Sequence, residues 1–213
     1  MEMKVVSVNL GERQGVKYRG KTVQTGIFKK PVHHPIILGK TDVERDAVVD
    51  RKYHGGENKA CYLYSADHYA YWKNKYPNLD WEFGMFGENI TIEGLNEKEI
   101  QIGDIFNLGA CRVRVTQPRQ PCFKLGLRFG SQTIVKAFSQ APFPGVYVRI
   151  IEEGVVKIGD HFSLSERLHD TIGLLDIYEM IYTKTPNQEA LDFALDFQFL
   201  PENVKETLRK RFC

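Results

Sequence analysis

Cysteine is scarce in this chain, and no two cysteines lie close together. Cys61, Cys111, Cys122 and Cys213 are scattered through 213 residues, which excludes the dense framework of a disulfide-stapled secreted domain and any CxxC metal or redox pair. Free thiols are expected. An excess of one charge is missing too, since 29 lysines and arginines meet 27 acidic residues for a formal net charge of +2. A whole-molecule field that draws in nucleic acid is therefore excluded, although local clusters remain to be read. No apolar run approaches the ~18 residues of a membrane-spanning helix. The opening Met1-Glu2-Met3-Lys4 carries an acidic residue and leads into no signal-like apolar core, so a cytoplasmic location away from membranes is expected.

What is present is an ordinary globular composition, 42% apolar and 26% charged, far from the regime of disorder. Short β-branched segments bounded by Gly, Asn or Asp predict strands at 4–10, 21–28, 35–38, 59–64, 88–92, 104–108, 112–116 and 146–151. Helical stretches interrupt them at 65–75 and 131–139. Many short strands with frequent turns predict a mainly β fold, a closed barrel or a sandwich, over residues 1–168. Beyond that point the apolar period changes to 3.6: Leu174, Ile177, Tyr178 and Ile181 share one helical face. Thr185-Pro186-Asn187-Gln188 has the residues of a capping box opening a second helix, and a third starts at Pro201 and ends in Arg209-Lys210-Arg211. A three-helix module is expected over 169–213. The pattern IGDxF occurs at 102–106 and again at 158–162, read either as two similar turns entering strands or as an old hairpin duplication.

Three segments carry candidate chemistry. In Asp50-Arg51-Lys52-Tyr53-His54-Gly55-Gly56-Glu57-Asn58-Lys59, cations and glycines share one turn, the composition of an anion cradle or, equally, of a solvated basic hairpin. In Thr116-Gln117-Pro118-Arg119-Gln120-Pro121-Cys122, the prolines are expected to take the chain out of the sheet and display Cys122 at the barrel mouth. Arg119 and Lys124 there favour the thiolate, the form that ligates metal or attacks electrophiles; the other reading is a small buried apolar cysteine. Asn89 in Phe86-Gly87-Glu88-Asn89 offers an amide to a ligand or to a local turn. Thr25 and Lys29 add a hydroxyl and a phosphate-directed ammonium, or a solvated strand end.

Taken in order, TGIFKKPV, DRKYHGGENKA, FGENITIEGLNEKEIQIGDIF, VTQPRQPCFKL and the terminal helices resemble the MOSC family in its YiiM-like branch, across essentially the whole chain. The resemblance implies a closed β-barrel with a C-terminal three-helix domain, the molybdenum cofactor (molybdopterin), and reduction of N-hydroxylated compounds such as hydroxylamino-purine base analogues. It implies that Cys122 ligates molybdenum. Lys29, Arg51, Lys52, Lys59 and Arg119 then supply charge for the cofactor phosphate. Gly55 and Gly56 allow close approach, His54, Asn58, Asn89 and Gln117 bond pterin or substrate, and His54 is the candidate for proton delivery as a catalytic residue beside Cys122.

Neither a GxGxxG fingerprint nor a cysteine-rich cluster occurs, so electrons must come from an external reductase. The pyridoxal-dependent domain fused to MOSC domains in cofactor sulfurases is also missing. The alternative function is a carrier of cofactor or sulfur without turnover of its own. A nucleic-acid-binding barrel using Arg112, Arg114, Arg119 and Arg128 ranks below both, because the cations interleave with glycines and a cysteine rather than with stacking aromatics. A zinc site from His33, His34, His54 and Cys61 matches no compact ligand spacing.

Overall fold

Alternation makes residues 111–115 a strand: Cys111, Val113 and Val115 are buried while Arg112 and Arg114 stay partly exposed. In the computed structural model, which describes residues 2–49 and 55–213, such segments assemble in the order β1 (Met3–Gly11), β2 (Gln14–Tyr18), β3 (Lys21–Thr25), β4 (Lys29–Val32), β5 (Ile36–Leu38), β6 (Cys61–Ser65), α1 (Tyr69–Lys75), β7 (Ile90–Glu93), β8 (Ile105–Leu108) and β9 (Cys111–Pro118). Next come α2 (Phe123–Arg128), α3 (Thr133–Ser139), β10 (Val146–Glu152), β11 (Gly154–Val156), β12 (His161–Glu166), α4 (Leu174–Tyr182), α5 (Gln188–Asp196) and α6 (Glu202–Phe212).

Seven strands close a barrel in the order β1, β12, β8, β9, β10, β6, β7 and back to β1. Closure comes from β1, whose Met3 and Lys4 face Phe162 and His161 on one edge while Lys4 to Val8 pair with β7 on the other. Only the β6–β7 contact in the ring is parallel. β4 extends the far end of β1, and the β2–β3 hairpin and the β5–β11 pair lie outside the ring. The two IGDxF segments form matching turns. Gly103 and Gly159 both sit at φ 93°, and the Asp104 and Asp160 carboxylates accept from the amides of Gln101 and Lys157 at 3.0 and 2.9 Å. They lead into β8 and β12, which pair antiparallel, with Phe106 stacked on Phe162 at 4.1 Å.

Two apolar cores result. One fills the barrel and continues without a break into Leu174, Ile177, Leu191, Ala194, Val204 and Leu208 of the C-terminal helices. The other is aromatic, gathering Tyr62, Tyr64, Tyr69, Trp72, Phe86, Phe129 and Phe138 outside the barrel wall beneath α1, α2 and α3. Strand β6 separates them: Cys61 and Leu63 belong to the first, Tyr62 and Tyr64 to the second. All five of its residues are buried, which explains why it lacks polar alternation.

Several boundaries differ from expectation. β9 does not stop at Thr116 but keeps its ladder to Pro118 opposite Val146, because a proline in the last strand position surrenders an N–H that the ladder no longer needs. Lys59 lies in a short 3-10 turn before β6 rather than in the strand. The second C-terminal helix opens at Gln188, capped by Asn187, whose carboxamide accepts from Ala190 N at 3.0 Å; Thr185 instead turns back on Thr183. Arg211 does more than complement its own helix dipole: its guanidinium donates to the Thr183 and Tyr182 carbonyls at the end of α4. Among the described residues no helix is long and apolar enough to cross a membrane.

Phe106→Ala removes one ring of the buried stack and is expected to cost about 3–5 kcal/mol, read as a lowered denaturant midpoint at unchanged slope. A loss under ~1 kcal/mol, the scale of an ordinary substitution, contradicts the barrel packing described.

Candidate functional site: a cationic cavity at Cys122

Where β9 ends, Arg119 turns its guanidinium into the aromatic core. It donates to the Phe86 carbonyl and lies 4.9 Å from the Tyr62 ring and 5.6 Å from Phe138. Burial opposes its charge, but the facing Tyr62, Tyr147 and Cys122 outweigh that cost and hold its pKa above the usual guanidinium range. This anchor fixes the Pro118–Cys122 segment. Three residues on, Cys122 takes the position before the first turn of α2, where its carbonyl accepts from Leu125 N at 2.9 Å.

The Cys122 side chain is half-buried and lines a solvent-open cavity. Among the described residues four cations share its wall, Lys29, Lys59, Arg119 and Lys124, against the single carboxylate of Asp46. Tyr62 and Tyr147 supply an aromatic side, their rings 5.0 Å apart. Burial pushes the Lys59 ammonium below the ordinary lysine range, with the nearby Cys122 working the other way, and Lys59 Nζ sits 6.0 Å from the Tyr147 ring centre. Burial raises the Tyr147 phenol, an effect that Arg119 reduces.

Other expected site residues fall in different places. Lys29 lines the cavity but is ion-paired with Asp46, with both side chains under a tenth exposed; it is neither a solvated strand end nor an uncommitted phosphate ligand. Asn89 lines the cavity and also bridges strands, donating to Asp46 at 3.0 Å and accepting from Tyr62 N at 3.3 Å. Thr25 accepts from Ile27 N at 3.1 Å at the cavity edge. Gly56 holds φ 86° at the start of the Glu57–Lys59 turn, a conformation that suits glycine, and neither it nor Gly55 lines the Cys122 cavity.

Two further expected residues have partners away from this cavity. Asn58 faces a different cavity, and its carbonyl takes the Thr116 hydroxyl at 2.7 Å. Gln117 is tied to the C-terminal helices by Asn203, which donates to its Oε1 at 3.1 Å. A neighbouring element thus engages the Asn58 backbone carbonyl and the Gln117 side-chain oxygen. Arg51, Lys52 and His54 lie outside the described residues.

Asp46, Tyr62 and Tyr147 were missed. Asp46 accepts from Gly11 N at 2.8 Å, from Asn89 at 3.0 Å and from Lys29, closing the cavity floor. Its loop has no periodic signal. Tyr147 did carry one, because it alternates with the buried Val146 and Val148 at a strand start.

A closed barrel whose one half-exposed strand-end cysteine opens into a cationic hollow is the architecture of a MOSC protein. The MOSC domain model matches residues 50–163, and the chain belongs to that family. It is similar to the uncharacterized protein YflK of Bacillus subtilis (strain 168), 35% identical over 207 residues, or 97% of this chain and 93% of that one. It is also similar to the crystal structure of YiiM from Geobacillus stearothermophilus, with TM-score 0.82 and 33% identity over 99% of this chain and 100% of that one. A protein named Reductase from Gibberella moniliformis (strain M3125 / FGSC 7600) is 30% identical over 165 residues, which is 76% of this chain but only 29% of that longer one.

Asp46→Asn keeps the shape but strands the buried Lys29 ammonium, and a loss of about 3–5 kcal/mol is expected, measured by equilibrium unfolding; a neutral result contradicts the pairing. Iodoacetamide on the native, metal-free protein is expected to label Cys122 and the exposed Cys213 within minutes to hours and to spare Cys61 and Cys111. Burial raises both protected thiols, Cys111 to about 11. Peptide mass mapping checks this, and labelling of Cys61 as fast as Cys122 contradicts it.

Proposed function

We propose that the chain holds the molybdenum cofactor in the cavity around Cys122 and, so loaded, reduces N-hydroxylated compounds, with hydroxylamino-purines as the representative substrates and a separate reductase as electron donor. The observation that carries this reading is the half-buried Cys122 sharing one open cavity with Lys59, Arg119 and Lys124. The donor set fits the group: a soft sulfur suits molybdenum, and clustered cations suit a phosphate dianion.

When bound, the cofactor supplies a two-electron redox centre for cleaving an N–O bond. Cys122 Sγ is the group that would hold the metal. Lys59 and Arg119 balance the phosphate and the negative charge of the dithiolene, and the fixed guanidinium of Arg119 needs no reorganisation as charge develops. The Tyr62 and Tyr147 rings give a planar pterin or purine an apolar face. Reduction of R–NH–OH to R–NH2 and water consumes two electrons and two protons. Both protons are to come from donors at the cavity or from solvent. His54 stays the proton donor implied by family resemblance. The relative named Reductase supports the reductive direction.

The test is purification from a host that makes molybdopterin, followed by metal and pterin analysis and assay with N-hydroxylated adenine and a chemical reductant. Wild type is expected to carry near-stoichiometric molybdenum. Cys122→Ser should lose the metal and at least ~100-fold in activity, the scale reported for lost metal-site interactions. Metal-free protein that still reduces the substrate removes the proposal; a loaded protein without turnover returns the chain to a carrier role.

A further inference from the structure

On the outer face of the barrel, Arg114 of β9 and Arg149 of β10 stand directly opposite each other in the ladder. Like charges in that register repel, so the pair calls for a counter-charge. Neither Nε has a hydrogen-bond partner among the described residues, although both atoms are buried from solvent. A mostly polar, solvent-open cavity lies over them, roofed by residues 198–202 and Lys205 at the start of α6.

The local carboxylates meet this need only in part. Glu57 reaches one terminal nitrogen of Arg149 at 2.9 Å from an exposed position, and Glu202 on the cavity rim is drawn to Arg209. The Arg114 guanidinium lies 4.6 Å from the centre of the Phe199 ring, a contact that leaves its Nε without an acceptor among the described residues. Burial and then the neighbouring Arg149 lower the Arg114 pKa, an effect that Glu166 partly offsets.

We propose that this cavity binds a phosphate or phosphate-monoester dianion between Arg114, Arg149 and Lys205. Two guanidinium forks side by side match the oxygens of such a group, which takes several parallel charge-assisted bonds where a chloride takes fewer. The cavity shares no lining residue with the one around Cys122, so the proposal does not depend on the cofactor reading.

Calorimetric titration of the metal-free protein in chloride buffer of constant ionic strength, first with inorganic phosphate and then with phenyl phosphate, tests it. Saturable binding in the millimolar range or tighter is expected. Tighter binding of phenyl phosphate assigns the natural ligand to an organic phosphate, and tighter binding of inorganic phosphate assigns it to the free ion. Arg149→Gln is expected to weaken affinity roughly tenfold or more, and Lys205→Gln severalfold, the loss typical of a charge-assisted bond. An unchanged unfolding temperature in chloride shows that these variants are folded, and Cys122→Ser should bind phosphate like wild type. Unsaturable binding, an Arg149→Gln variant equal to wild type, or binding lost in Lys59→Gln instead would overturn the proposal.

Discussion

Arg119 is a full charge sunk among aromatic rings, and the placement of the candidate site depends on how that burial is made tolerable. A desolvated guanidinium costs several kcal/mol unless its donors and faces are occupied. Here the Phe86 carbonyl accepts from it, and Tyr62 and Phe138 lie over it. Phe86 belongs to the turn before β7, Tyr62 to β6 and Phe138 to α3. One side chain therefore ties three elements to the end of β9. Cys122 is held at the cavity because the backbone three residues upstream cannot shift without breaking that set of contacts.

The same economy appears on the opposite wall. Asp46 collects Lys29, Asn89 and the Gly11 amide, so the loop before the undescribed stretch 50–54 is pinned to β1, β4 and the start of β7. Gly26 makes this possible, since a Cβ there would meet the Ala47 carbonyl oxygen at 1.9 Å. The cavity therefore has two rigid sides, one built on a buried arginine and the other on a buried ion pair. Its remaining cations stand between them. Pre-set charge of this kind favours a fixed anionic ligand over water, because the alignment cost is met during folding.

Legibility in the sequence followed the physical range of each signal. Alternation at 112–116 and the 3.6 period at Leu174, Ile177, Tyr178 and Ile181 are local, and both elements formed there. β6 was placed but its two-sided burial was not readable, since Tyr62 and Tyr64 face a second core assembled from α1, α2 and α3. The paired strand Gly154–Val156 is three residues long, too short to leave a period. In the site, Cys122 and Arg119 were recoverable because prolines bracket them and the family motif contains them. Asp46 and Lys29 are 17 positions apart, and nothing but closure of the fold brings them together. Gln117 shows the same limit: its motif marks it as a ligand candidate, while its partner Asn203 lies 86 positions away and leaves no local signal.

That Gln117–Asn203 contact also bears on what the terminal helices do. The apolar core runs unbroken from barrel to helices, so removing them would expose Val204, Leu208 and Leu191 together with the barrel residues they cover. Polar ties add direction to that packing. Asn203 holds β9 one residue before its last ladder position, Phe199 holds Arg114 farther up the same strand, and Arg211 locks α6 onto α4. A shift of α6 would therefore be transmitted along β9, the strand that ends at Arg119 and leads to Cys122. The helices are thus tied to the strand that leads to the cysteine by polar contacts as well as by apolar packing.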